Sequence, residues 1–278
     1  MEQKNGKSLL KMRLHLLLLP FLIFTLTPIV WVLKMAFSDQ QTFDLHLSLL
    51  PKSFSFIHFQ NLFAHPLFWR QMANSFIVSI ITTIVGLFFS CTAAYALSRF
   101  RFLGRHLILT SFLLTQAFPG TLMMIPLYLM IDFLGLLDHF LGLVLVYSAS
   151  AVPFCVWQLK GYFDTLPKEI EESAILDGAT PFLLFWKIIL PLSRPALAVT
   201  ALFSFMTAWN EYILAATFMS KQEQYTYPVQ LQEMVGEYST LWGSFSAGAI
   251  VVSLPVMLLF FLLQKQLVGG LTAGGVKG

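Results

Sequence analysis

Charge is scarce in this sequence. Asp, Glu, Lys and Arg make up 11% of its 278 residues, whereas soluble domains carry roughly 25%. A water-exposed surface needs more polar groups than that, which argues against a soluble globular domain. Cysteine is nearly missing. Cys91 and Cys155 both fall within apolar runs and read as small apolar fillers, so neither a disulfide framework nor a metal site is expected. No run of Lys and Arg is interleaved with aromatics, and the net charge of +3 is scattered, which speaks against a nucleic-acid partner. No GxxxxGK[ST] phosphate loop occurs. His15, His46, His58, His65, His106 and His139 are spread over loops and span ends, and no catalytic triad stands out. The chain therefore reads as non-enzymatic, with no metal or cofactor of its own.

What is abundant is apolar sequence. Hydrophobic residues make up 57% of the chain, with 28 Phe, and the mean hydropathy is +0.74. Long apolar stretches read as transmembrane helices. Six spans are expected, near residues 14–37, 72–97, 107–131, 140–159, 195–219 and 243–263, making an all-α membrane protein. The first follows a basic segment, 1–13, and is too long for a signal-peptide core with no small-residue cleavage site after it, so it reads as retained. Residues 38–70 form a loop with room for a short interfacial helix. Asn74 and Ser75 open the second span as cap-like residues, and small residues from Ser90 to Ala96 crowd its far half, where helices can approach closely. Pro119-Gly120 and Pro126 interrupt the third span, as a kink or a broken helix. The fourth contains Pro153.

Basic residues orient the spans. With the N-terminus inside, the outer side holds only Lys34, Lys52, Arg70 and Lys221 of the 17 Lys and Arg, the bias expected for short loops. Both termini then lie in the cytoplasm. So does the loop 160–194, while 220–242 is an outer loop and 264–278 a cytoplasmic tail.

The inner loop carries the longest polar-containing island, EIEESAILDGATPFLLFWKIILP, from Glu169 to Pro191. Pro167 can start a helix whose first turn holds Glu169, Glu171 and Glu172, favourable against the helix dipole. Glu171, Ala174 and Gly178 lie near one face, and Asp177-Gly178 reads as a turn. Thr180-Pro181 opens a second helix, with Phe182, Phe185, Trp186 and Ile189 at helical spacing and Pro191 as its end. One reading is a capped helix lying on the membrane surface. The other is a surface against which a soluble partner presses.

The spacing resembles a known signature. Glu172, Ser173 and Ala174, then Gly178 after three residues, then Ile188, Leu190 and Pro191 match the EAA motif of ABC-importer permeases, with Ser173 where Ala is usual. Ala94 to Arg99 (AYALSR), Thr207 to Tyr212 (TAWNEY) and the ending Gly270 to Gly278 resemble the carbohydrate branch of that family, of the kind of the second permease subunit of maltose-type transporters. The resemblance covers nearly the whole chain. It implies a type I ABC-importer permease fold in the bacterial inner membrane. It implies a second homologous permease, a cytoplasmic ATPase dimer that holds the ATP and Mg, an extracytoplasmic sugar-binding protein and an oligosaccharide substrate. Glu172, Ser173, Ala174, Asp177, Gly178, Ile188, Leu190 and Pro191 would then couple to the ATPase, with Glu172 facing a basic residue there and Gly178 forming the turn between two coupling helices. The tail from Thr272, Ala273, Gly274 and Gly275 to Gly278 would reach towards the ATPase. Lys221, Gln222, Glu223, Gln224 and Tyr225 would meet the binding protein.

Asn210 and Glu211 lie about fifteen residues into the fifth span, where a polar side chain is costly unless paired or facing water. They are either a pathway or partner-permease interface, or packing hydrogen bonds across the helices; Asn210 fits packing better and Glu211 an interface. Trp209, Phe205 and Tyr212 can stack on a sugar or pack against protein or lipid. Rival functions are a secondary transporter of a small solute, which would need its own ion site, and a membrane enzyme, which would need clustered His or acids. Within the importer reading, maltodextrin, cyclodextrin and galactan oligomers all fit as substrates.

Overall fold

A computed structural model gives the chain as helices α1 (Glu2–Ala36), α2 (Ile57–Ala64), α3 (Phe68–Arg99), α4 (Arg105–Ala117), α5 (Gly120–Phe133), α6 (Phe140–Thr165), α7 (Lys168–Leu176) and α8 (Pro181–Leu184). A π-helical turn (Phe185–Ile189), α9 (Leu190–Leu192), α10 (Arg194–Trp209), α11 (Ile213–Phe218), α12 (Tyr227–Glu233) and α13 (Trp242–Gly275) follow. The structure describes residues 2–42, 48, 50–236 and 240–275, with side chains from Leu16 to Gln266. Among these, the only extended pairing is an isolated bridge between Val235 and Thr240.

Among the described residues, four stretches are long and apolar enough to cross a membrane: Leu16–Ala36 of α1, α3, α6, and Trp242–Gln266 of α13. Two bent pairs raise the count to as many as six. In one, α4 and α5 meet at 105°. The break falls at Phe118 and Pro119, both extended, as expected where a proline pushes its predecessor out of the helical region. Pro126 lies inside an unbroken α5, so only the first of the two proline signals interrupts this span. In the other, the Pro181–Leu192 helix meets α10 at 81°.

Three further boundaries differ from the sequence reading. Asn74 and Ser75 are not caps, because α3 starts at Phe68 and they sit two turns in. Pro191 does not end the second loop helix, which runs on to Leu192. The turn just before it widens, with the Leu190 amide bonding to the Phe185 carbonyl. A proline ring clashes with the carbonyl four residues back in a regular helix, and a π turn relieves that crowding. The fifth span is not continuous: α10 stops at Trp209 and α11 begins at Ile213.

The chain divides into two compact units, residues up to Phe68 with Leu231–Ser253, and Trp69–Gln230 with Leu254–Gly278. In the first, none of the most apolar window of α1 is buried within the chain, so that window offers its side chains to lipid or protein, while Lys34, Met35 and Ala36 at the helix end are buried. Phe37 stacks on Phe54 at 5.1 Å and meets Phe56 and Phe59 at 5.5 and 5.1 Å. The second unit has two apolar clusters. Val78, Ile131, Leu143, Tyr147, Ala208 and Phe218 build one; Cys91, Ala94, Leu97, Leu159, Phe163, Phe185 and Ile189 build the other. Helix α3 contributes to both.

Candidate functional site

The 168–192 loop is built by its own turn chemistry. Helix α7 carries Glu169 and Glu171 in its first turn, where acids suit the dipole. Pro167 is the residue before it, not its first. At the far end Gly178 has φ +88°, a backbone state that side chains disfavour. Its amide bonds to the Ile175 carbonyl at 2.9 Å and the Ala179 amide to the Ala174 carbonyl at 2.9 Å. That pair of bonds is the Schellman closure. Thr180 Oγ1 then accepts the Leu183 amide at 3.3 Å, with Pro181 leading α8. Two helices are thus joined through a hydrogen-bonded corner.

The inward side of this corner is fastened by charge. Glu171 is buried, and its Oε1 accepts from Arg99 Nε at 2.5 Å, both side chains about nine-tenths buried. Tyr95 donates to Glu171 Oε2 at 3.4 Å and Arg99 Nη2 to the Leu166 carbonyl at 3.4 Å. Ser98 donates to Asp164 Oδ1 at 2.6 Å, and Lys160 pairs with Asp164 at 2.5 Å. The sequence reading placed Glu171 on one face with Ala174 but did not supply its partner; an Arg at the end of α3 and an acid opening α7 were separately visible.

The outward side is exposed. Glu172, Ser173, Asp177, Gly178 and Pro191 lie on the surface, while Ala174, Ile188 and Leu190 are half-buried against the second apolar cluster. Leu176 is 88% exposed and Phe182 74% exposed, so two large apolar side chains near Gly178 are mostly uncovered, with Phe182 meeting the Trp186 ring at 6.1 Å.

The segment 221–225 is held by its backbone. Gln71 Nε2 donates to the Gln222 carbonyl at 3.1 Å and to Gln230 Oε1 at 3.0 Å. Asn74 Nδ2 donates to the carbonyls of Glu223 and Tyr225, both at 2.9 Å, and Ser75 Oγ accepts the Tyr227 amide at 2.7 Å. The side chains of Lys221, Gln222 and Glu223 are exposed, while Gln224 and Tyr225 are half-buried. Burial pushes the nearby Tyr227 phenol above its ordinary pKa. Gln71, Asn74 and Ser75 are clasp residues that the sequence reading took for a helix start or passed over.

At the α10–α11 break, Asn210 is exposed beside Thr207 and Tyr212 in an open groove. Glu211 lines the same groove and is half-buried, with its carboxylate engaged: it accepts the amides of Leu214 at 2.9 Å and Ala215 at 3.2 Å, and Tyr147 donates to it at 2.7 Å. Trp209 and Phe205 are buried and stack at 5.3 Å, with Phe76 against Trp209 at 4.8 Å, which leaves Tyr212 as the exposed aromatic of the three. A groove of about 620 Å³ beside them is lined by residues such as Ile80, Ala201, Leu254 and Leu258, with Thr83 its one polar side chain. Such a wall gives sugar hydroxyls almost nothing to bond.

Residues 86–272 match the family described as "Binding-protein-dependent transport system inner membrane component". The chain belongs to this family. Its members are non-catalytic membrane components of transport systems, and the apolar helices place this permease in the inner membrane as a multi-pass protein. The permease is 36% identical to the inner membrane ABC transporter permease YcjP of Escherichia coli over 99% of both chains. It is 37% identical to the maltodextrin permease MalD of Streptococcus pneumoniae over 99% of this chain and 100% of that one. Relatives at 36% and 32% identity are named for galactooligosaccharide and trehalose transport, in Bacillus subtilis and Mycobacterium tuberculosis. A chain in the crystal structure of a bacterial ABC transporter that imports alginate superposes with TM-score 0.79 at 26% identity, covering 94% of this chain and 97% of that one. The all-α permease fold is therefore that of a type I ABC importer.

Within the permease, α13 continues as helix through Thr272, Ala273, Gly274 and Gly275; their side chains, and residues 276–278 altogether, lie outside the described ones. Among the described residues no group of three or more His, Cys, Asp or Glu is placed to hold a metal. His58 is buried in the first unit, where its Nε2 bonds to the Gln40 carbonyl and its Nδ1 to Gln41 Nε2, both at 3.2 Å.

Proposed function

We propose that this permease is one of two homologous membrane subunits of an ATP-driven oligosaccharide importer, resembling the second subunit of maltose-type systems. A maltodextrin is the favoured cargo; galactan oligomers and cyclodextrin are the alternatives. One observation carries the reading: the corner at Gly178 is closed by backbone hydrogen bonds, tied inward through Glu171, and faces outward with mostly exposed Leu176 and Phe182. A membrane-surface helix would also seat such side chains in lipid, but it has no need of a buried ion pair and a closed turn behind them. A cytoplasmic ATPase dimer does need such a backing, because a rocking motion must reach the spans through a solid contact.

In this reading both termini and the 160–194 loop are cytoplasmic. Glu172, Ser173, Asp177, Gly178 and Pro191 meet the ATPase, Ala174, Ile188 and Leu190 shape the corner from behind, and Thr272 to Gly275 approach the same partner. ATP and Mg are held by that partner. On the outer side Lys221, Gln222 and Glu223 present themselves to the binding protein from a clamped backbone, with Gln224 and Tyr225 beneath. Asn210 lines a partner-permease or pathway face. The sugar assignment draws on the relatives named for maltodextrin, galactooligosaccharides and trehalose.

The test is Gly178→Asp. A charged side chain at φ +88° strains the corner and intrudes on the docking face. Transport is expected to cease while the protein still reaches the membrane; normal uptake overturns the docking role. Equilibrium binding of a sugar panel to the cognate binding protein decides the cargo, and a binding protein that prefers a non-carbohydrate solute removes the sugar reading.

A further inference from the structure

Helix α3 is held at both ends by built clasps. Near one end Gln71, Asn74 and Ser75 bond to the backbone of 222–227. At the other Arg99 and Tyr95 bond to the Glu171 carboxylate of α7. About 40 Å of helix separates them at 1.5 Å per residue. Of the four long helices, α3 alone has no internal proline; α1 carries Pro20 and Pro28, α6 Pro153 and α13 Pro255. Kinks concentrate at proline, so α3 lacks the commonest cause of bending. It also enters both apolar clusters of its unit, through Val78 in one and Cys91, Ala94 and Leu97 in the other.

These features explain more than packing. The outer clasp grips carbonyls of a loop whose first side chains, Lys221, Gln222 and Glu223, are exposed, and the inner one is an ion pair about nine-tenths buried. A buried charge that loses its partner is strongly penalised, so α7 cannot move far without carrying Arg99 along. We infer that α3 is a push-rod: Arg99, Tyr95 and Glu171 at one end, and Gln71, Asn74 and Ser75 at the other, are positioning residues that make the coupling corner and the 221–225 segment move together. This rests on the proposed roles of those two segments. Coupling between sites is reciprocal, so nucleotide at the ATPase alters the 221–225 segment by the same path.

The test uses the full chain assembled with its partner permease and ATPase in lipid nanodiscs. Lys221→Cys places an exposed thiol on the segment, while native Cys91 and Cys155 are buried. Its maleimide labelling rate is measured with and without Mg–AMP-PNP. A nucleotide effect of about fivefold is expected, the lower range of allosteric couplings. Asn74→Ala and Arg99→Ala should each reduce it below twofold, and the double variant should go no lower, because both break one path. Arg99→Lys, which keeps a cation beside Glu171, should retain most of it. Co-purification of the ATPase with each variant shows that assembly survives. A full nucleotide effect in Asn74→Ala and Arg99→Ala, losses that multiply in the double variant, or no effect in the parent overturns the push-rod. Gly178→Asp separates the two claims. If it abolishes the effect while the clasp variants keep it, only the rod fails; if it leaves the effect intact, the coupling-corner reading fails.

Discussion

The imidazole of His58 occupies the space a side chain at Gly243 would need: a Cβ there would lie 2.1 Å from Nε2. The same ring is fixed by Gln40 and Gln41, and Gln41 bonds on to Ser244, donating to its Oγ at 2.8 Å and accepting its amide at 3.1 Å. The 40–41 turn, α2 and the start of α13 therefore share one knot. Gly243→Ala should displace the ring and cost about 1–3 kcal/mol, the usual penalty of overpacking. Limited proteolysis between residues 38 and 56 is expected to accelerate in the variant. Unchanged cleavage would mean that the ring moves without loosening its neighbours.

Leu176 and Phe182 are mostly exposed, with Phe182 meeting the Trp186 ring at 6.1 Å, so their removal should weaken the chain little. Leu176→Ser and Phe182→Ser are expected to leave the thermal unfolding of the isolated permease within about 0.5 kcal/mol of the parent, as surface changes do. Their cost should appear on assembly. An apolar anchor lost from the centre of an interface costs about 2 kcal/mol or more, and co-purification of the ATPase should fall accordingly. Full assembly in the double variant would place the docking contact elsewhere.

Two glycines separate soft from hard contacts. A Cβ on Gly86 of α3 meets Ser204 Oγ at 2.9 Å, whereas one on Gly142 of α6 meets the Leu136 carbonyl at 2.7 Å and Ile131 Cγ2 at 3.2 Å. A serine hydroxyl can rotate to another rotamer; a backbone carbonyl in a turn cannot. Alanine gains about 1 kcal/mol of helix propensity at either site. Gly86→Ala should be near neutral or stabilising, and Gly142→Ala destabilising by about 1–3 kcal/mol. The buried thiols of Cys91 and Cys155 supply the readout, since a thiol-reactive dye reports their exposure on heating. Equal melting temperatures would refute the distinction.

Spans, the Pro119 break and the Gly178 corner were legible in the sequence because each has a local cause: apolar length, a residue forced extended before proline, and a positive φ. The clasps were not. Arg99 and Glu171 are 72 positions apart and Asn74 and Glu223 are 149 apart, and pairing over such distances leaves no periodic trace. Asn74 and Ser75 were misread as caps because Asn and Ser favour helix starts. Here they lie inside α3 and bond to another segment. Pro191 was misread as a stop because the ordinary rule assumes an α-helix, and a π turn lets a helix pass it.

Glu211 gives the sharpest choice between packing and pathway. The chain leaves the helix at Asn210 and re-enters it at Ile213, so the first amides of α11 have no helical partners. The Glu211 carboxylate takes those of Leu214 and Ala215, and the Tyr147 hydroxyl donates to the same group. It serves as a cap from just outside the helix, anchored to α6. Removing it leaves two amides and the buried Tyr147 hydroxyl without this partner. Glu211→Ala should therefore cost about 1–3 kcal/mol, the penalty of unsatisfied buried groups. Glu211→Gln should cost less, since its amide oxygen still accepts. Tyr147→Phe removes one donor and should cost about 1 kcal/mol. Asn210→Ala, at an exposed position, should leave stability unchanged. Each is measured by thermal unfolding in detergent and by uptake in cells. If Glu211 acts chiefly as this cap, uptake in the Glu211 series falls in proportion to lost folded protein. A Glu211→Gln variant that melts like the parent yet fails to transport would instead assign its carboxylate to the solute path.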